Sequence, residues 1–151
     1  MTSDDDNHAR RVALCIQASD RGSDVSDLET RAVSTEFRFD EAENLLVGYA
    51  AKYGVWSQPL GGFRERIKVG AFDRALESGQ DVRALMNHDP NFVLGRTKSG
   101  TLQLSSDDVG LRVSIRPPEA DWARGLMESV RRGDIDQMSF QFRAVEGGDN
   151  W

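Results

Sequence analysis

The chain has 151 residues, enough for one domain with a real core and too few for two. Its 19 basic residues stand against 25 acidic ones for a net charge of −6, and no basic block interrupts that balance, which argues against a surface built to hold nucleic acid. A single cysteine, Cys15, excludes an internal disulfide, and with no secretory signal and no apolar run long enough to span a bilayer the sequence reads as a soluble protein of a reducing compartment, with no membrane contact.

In chain order, residues 1–30 carry Asp4-Asp5-Asp6, scattered serines and one short apolar run, Val12 to Ile16, too little to anchor an element; a mobile polar arm is expected ahead of a domain over 31–151. Glu36 to Phe39 and Leu45 to Ala51, separated by the polar turn Asp40 to Asn44, predict a hairpin. After a loop at Gln58 to Gly62, Gly70 to Gly79 places Phe72, Ala75 and Leu76 at helical spacing and ends on a glycine, so a short helix is expected. Asp81 to Asp89 alternates as a strand with Val82, Ala84, Met86 and His88 on one face, and Pro90, which lacks an N–H, is expected to end its pairing. Val93 to Arg96, Leu102 to Leu104 and Leu111 to Ile115 predict a three-strand meander. Beyond Pro117-Pro118, Glu119 to Arg132 is a helix with Trp122, Ala123, Leu126, Met127 and Val130 on one side, acids leading and arginines trailing, stopped by Gly133. Asp136 to Val145 alternates again, Met138, Phe140, Phe142 and Ala144 against Gln137, Ser139, Gln141 and Arg143. The sum is a mainly β, α+β protein, a largely antiparallel barrel or sandwich flanked by two short helices.

The chemistry to weigh is the pair His88 and Ser139. A serine hydroxyl is a poor nucleophile near neutral pH unless a base takes its proton, and two strands of one β-structure can bring residues far apart in sequence together. Spacing alone favours the plainer reading, a solvated serine on a polar strand face and a hydrogen-bonded histidine at a strand end. Elsewhere, His8, Cys15 and His88 make no metal-ligand spacing, Gly61-Gly62 is not followed by the Lys-Ser/Thr of a phosphate loop, and the three tryptophans are scattered, so neither metal nor cofactor is expected.

The runs "LGGFRERIKVGAFDRAL", "DVRALMNHDPNFVLGRTKSGTLQL" and "DDVGLRVSIRPPEADWARGLMESVRRGDIDQMSFQFRA" together resemble the prohead proteases of tailed bacteriophages, serine peptidases similar in fold to the herpesvirus assemblins, over Glu36 to about Glu146. The resemblance implies a herpesvirus-protease-like β-barrel flanked by helices, with His88 of the "NHD" motif as general base and Ser139 of the "MSF" motif as nucleophile. It implies cleavage of phage scaffold and major capsid protein, and of the protease itself, inside the prohead in the bacterial cytoplasm. It also implies a homodimer through a helix as one option, although the apolar face of Glu119 to Arg132 has a stronger claimant in the core.

The orienting third residue is left unknown: Asp89, next to His88 on a strand, would point to the opposite face, and Glu146 is a further candidate. Arg96 and Arg143 are candidates to assist the oxyanion, with surface or ion-paired arginine as the plainer reading. Family members usually continue past the serine strand with a segment of the form "L.EVSPV.FPAYP", whereas Gly147 to Trp151 ends this chain. The expectation is therefore a barrel lacking its last strand or strands, with a non-catalytic capsid-assembly or scaffold-associated domain as the alternative to an active protease.

Overall fold

In the computed structural model the described residues are 14–18, 29–34, 37–57, 59 and 61–142, with side chains for 37–57, 59, 61–138 and 140. Among them the chain forms nine strands and two helices in the order β1 (Leu14–Ala18), β2 (Glu29–Ser34), β3 (Arg38–Asp40), β4 (Leu45–Lys52), α1 (Asp73–Glu77), β5 (Val82–Met86), β6 (Val93–Arg96), β7 (Leu102–Ser106), β8 (Gly110–Ile115), α2 (Asp121–Arg131) and β9 (Gln137–Phe142). The strands make two sheets, a five-stranded one ordered β2-β9-β1-β5-β6 and a four-stranded one ordered β3-β4-β8-β7. All their pairings are antiparallel except that of β1 with β9, which is parallel. The mainly β, α+β class and the two helices thus match the sequence reading, but the strands are divided between two sheets and no closed barrel is present among the described residues.

The β3–β4 hairpin forms where it was expected. Its four-residue turn ends on Asn44 in the left-handed region, φ 52°, which Asn tolerates better than most residues. The expected meander is corrected. β6 pairs with β5 in the larger sheet, and of the three expected strands only β7 and β8 form a hairpin with each other, in the smaller one. The chain crosses between sheets at residues 97–101, where Gly95 permits the close approach. A Cβ there would lie 2.8 Å from the Thr101 carbonyl oxygen and 3.0 Å from Ile115 Cγ2. Gly110, where a Cβ would sit 2.0 Å from the Ala51 carbonyl oxygen, does the same for the β4–β8 pair.

The two sheets and α2 share one core. The larger sheet contributes Val82, Ala84, Leu94, Met138 and Phe140, and the smaller sheet contributes Leu46, Val113 and Ile115 among others. From α2 come Ala123, Leu126, Met127 and Val130, with Trp122 half-buried at the margin. The apolar face of α2 is therefore used within the chain, as its sequence pattern required. Phe72 and Leu76 at α1 also pack on this core, and Gly79, at φ 67°, stops that helix. Phe72 stacks on Tyr53 at 6.0 Å and meets the Phe140 ring edge-on at 5.6 Å, which couples α1 and β4 to β9.

Residues 1–30, expected as an arm, contain β1 and the first residues of β2; the rest of that stretch, with Arg143, Ala144 and Glu146, lies outside the described residues. β1 occupies an interior position, between β9 and β5.

Candidate active site

His88 does not continue a strand. Pairing in β5 stops at Met86, and the next two residues, Asn87 and His88, both adopt left-handed backbone conformations, φ 55° and 59°. For residues other than glycine each such conformation costs free energy, and a consecutive pair persists only where the surroundings fix it. Here the turn is closed from both ends. The Met86 N–H donates to the Phe92 carbonyl (3.0 Å), the Asp89 N–H to the Met86 carbonyl (3.0 Å), and the Phe92 N–H to the Asp89 carbonyl (3.0 Å). Asp89 adds its side chain: Oδ1 accepts from the Asn91 backbone N–H at 2.9 Å and from Asn91 Nδ2 at 3.0 Å. Phe92 then anchors the turn to α2, its ring edge-on to Trp122 at 5.2 Å.

One expectation is corrected by this turn. The strand ends at the left-handed pair ahead of Pro90, so His88 is not on the strand face of Val82 and Ala84 but on a rigid turn beyond it. Asp89 is in the same turn and not next to His88 on a strand, so the opposite-face argument read in sequence does not apply to it; its Oδ1 accepts from Asn91. His88 is exposed, yet the water it loses to the surrounding turn pushes its pKa below the ordinary histidine value of 6.5. Near neutral pH the imidazole is therefore neutral and able to accept a proton.

Ser139 sits in β9, where Met138 and Phe140 on either side are buried in the core at 0% and 3% exposure. Strand alternation thus assigns residue 139 to the face of the sheet opposite the core. The register is explicit. Ser139 is level with Ala32 of β2 on one side and Cys15 of β1 on the other, and Cys15 is level with Leu85 of β5. Met138, Leu14 and Met86 form the next row. The start of β9 and the end of β5, with the His88 turn beyond it, therefore lie at the same end of the sheet. β1 stands between the two candidate residues, which puts their strand axes about 10 Å apart. Sequence reasoning missed this intervening strand; the signal was the run Val12 to Ile16, too short to stand out.

The other candidates divide. Arg96 is bound through Nε to both carboxylate oxygens of Asp81, at 3.1 and 2.9 Å, and its Nη2 also meets Asp81, so it is the ion-paired arginine of the plainer reading. Arg143 and Glu146 lie outside the described residues. No group of three or more His, Cys, Asp or Glu side chains that could hold a metal occurs among the described residues, and no described helix is long and apolar enough to cross a membrane. A shallow groove of about 560 Å³ runs beside edge strand β6, lined by Val93 to Arg96, Arg116 and Pro117 among others; His88 and the residues of β9 are not in its wall.

In comparison with known protein families, the chain matches the family described as caudovirus prohead serine protease over residues 26–151. No curated protein and no solved structure matches the chain.

Proposed function

This chain belongs to the caudovirus prohead serine protease family, a family of bacteriophage capsid maturation, and we propose from that premise that it is a serine endopeptidase in which Ser139 is the nucleophile and His88 the general base. The observation that carries the residue assignment is the turn Met86 to Phe92, a strained and doubly closed loop presenting a neutral imidazole at the sheet end where β9 begins. In the reaction, the imidazole takes the hydroxyl proton as the serine oxygen attacks the scissile carbonyl. The resulting imidazolium then protonates the leaving amine, and water hydrolyses the acyl-enzyme by the same exchange in reverse order.

The substrates in this reading are phage scaffold and major capsid polypeptides and the protease itself, inside the prohead in the bacterial host. Two copies pairing through a helix belong to the same proposal, but not through the apolar face of α2, which the core already occupies. Relation in fold to the herpesvirus assemblins is supported by the mainly β architecture with two helices and remains part of the proposal.

The test is labelling of the purified chain with a fluorophosphonate probe, followed by peptide mapping. Label on Ser139 is expected, absent in Ser139→Ala and reduced by at least about a thousandfold in rate in His88→Ala, as for loss of the base in serine hydrolases. An intact, folded chain that takes no label would support the non-catalytic assembly domain instead.

A further inference from the structure

Arg83 in β5 carries a charge that no contact among the described residues explains. The residue is half-buried, and its Nε is buried with no hydrogen-bond partner among the described residues, so one donor of the guanidinium lacks the acceptor that a buried N–H normally finds. The contrast lies directly across the β5–β6 pair. Arg83 is level with Arg96, and Arg96 already holds the Asp81 carboxylate with its guanidinium.

The register places Arg83 with respect to Ser139. Arg83 is level with Gln17, and Gln17 with Gln141 and Thr30. The neighbouring row on the same face holds Leu85, Cys15, Ser139 and Ala32. Among these register positions the only charged residues are Arg83 and Arg96, and no carboxylate is among them. An extended polypeptide laid over Ser139 on this face would pass an arginine with no counter-ion among the described residues, two strands across and one row along, about 12 Å from residue 139 between Cα atoms.

We propose that Arg83 is a specificity-determining residue that receives an acidic side chain of the substrate, an Asp or Glu a few residues from the scissile bond. The inference rests on Ser139 being the nucleophile, and its test separates the two. A mixture of random-sequence peptides is digested with the wild-type chain and with Arg83→Glu, Arg83→Gln and Arg83→Lys, and the cleaved bonds are read by mass spectrometry; fluorophosphonate labelling of Ser139 is followed on the same samples.

Wild type is expected to cut with Asp or Glu enriched at one position within four residues of the cleaved bond. In Arg83→Gln that preference should fall at least about tenfold in kcat/KM, the size of a charge-assisted hydrogen bond. In Arg83→Glu it should turn toward Lys and Arg, and in Arg83→Lys it should survive in part. Labelling of Ser139 should persist in all three. If Arg83→Glu does not fold, Arg83→Gln and Arg83→Lys carry the comparison. Cleavage by wild type with no acidic enrichment, or an enrichment that Arg83→Gln leaves unchanged, overturns the role of Arg83 alone. Absence of label on wild type overturns the reading beneath it.

Discussion

At the scale of single residues, His88 sets the pH response. Partial loss of water within the turn holds its pKa below 6.5, so the imidazolium costs more in the folded chain than in the unfolded one. For a depressed pKa the stability contribution is present above the unfolded value and is lost as pH falls through the folded value, because in that window the unfolded chain binds the proton first. Activity should follow the same sign. The fluorophosphonate labelling rate is expected to be flat above about pH 7 and to fall on the acid side with a midpoint below 6.5. A midpoint above 6.5, or an unchanged profile in His88→Ala, would remove His88 from the reaction. Asn87, its partner in left-handed conformation, gives a stability test. Asn87→Gly should leave unfolding in denaturant unchanged or shifted to slightly higher concentration, whereas Asn87→Val should lose about 1–2 kcal/mol, because a β-branched side chain clashes at φ 55°. The candidate histidine and serine were singled out by the short motifs around them. The left-handed pair was not, because "NHDP" reads equally well as the end of a strand, and only the closure of the turn by Phe92 and Asp89 distinguishes the two.

At the scale of elements, the positions of the two sheets depend on a few close approaches that alternation does not report. Gly95 is one. Gly95→Val would drive methyl groups into the Thr101 carbonyl and Ile115 and should destabilise the chain by about 1–3 kcal/mol, seen as a lower midpoint in urea with the slope unchanged. A midpoint equal to wild type would mean that the crossing between β6 and β7 is looser than its geometry. The same crossing explains why three successive strands were read as one meander: the turn signal at Lys98-Ser99-Gly100 is correct, but the strand before it already has a partner in β5, and Arg96 makes its pairing with Arg83 while the chain turns away toward Thr101. Helices were the better-marked elements. The buried positions of α2 are four of the five named from spacing, with Trp122 turned to the margin to meet Phe92. β1 was lost for the opposite reason. Five residues with a polar Gln17 carry no periodic signal of their own, and a strand flanked on both sides by others takes its stability from neighbours more than from its own composition.

At the scale of the whole molecule, β9 belongs to two systems at once, and one substitution at Met138 and one at Ser139 can separate them. Met138 and Phe140 hold the strand against the shared core, while residue 139 belongs to the opposite face. Met138 is fully buried, so Met138→Ala removes packing that the two sheets and α2 jointly supply, and should cost about 2–5 kcal/mol. Ser139→Ala removes one hydroxyl outside that core and should leave the unfolding midpoint close to wild type while abolishing covalent labelling. The two variants then form a double dissociation. Met138→Ala, measured at a temperature where it is still folded, should label at Ser139 at a rate within a few fold of wild type, because the register with Cys15 and Ala32 is set by backbone pairing that the methionine does not make. If instead Met138→Ala abolishes labelling while its circular dichroism and unfolding cooperativity remain native, then the core side of β9 fixes the serine's position directly, and the nucleophile is held by packing across the sheet more than by its strand neighbours.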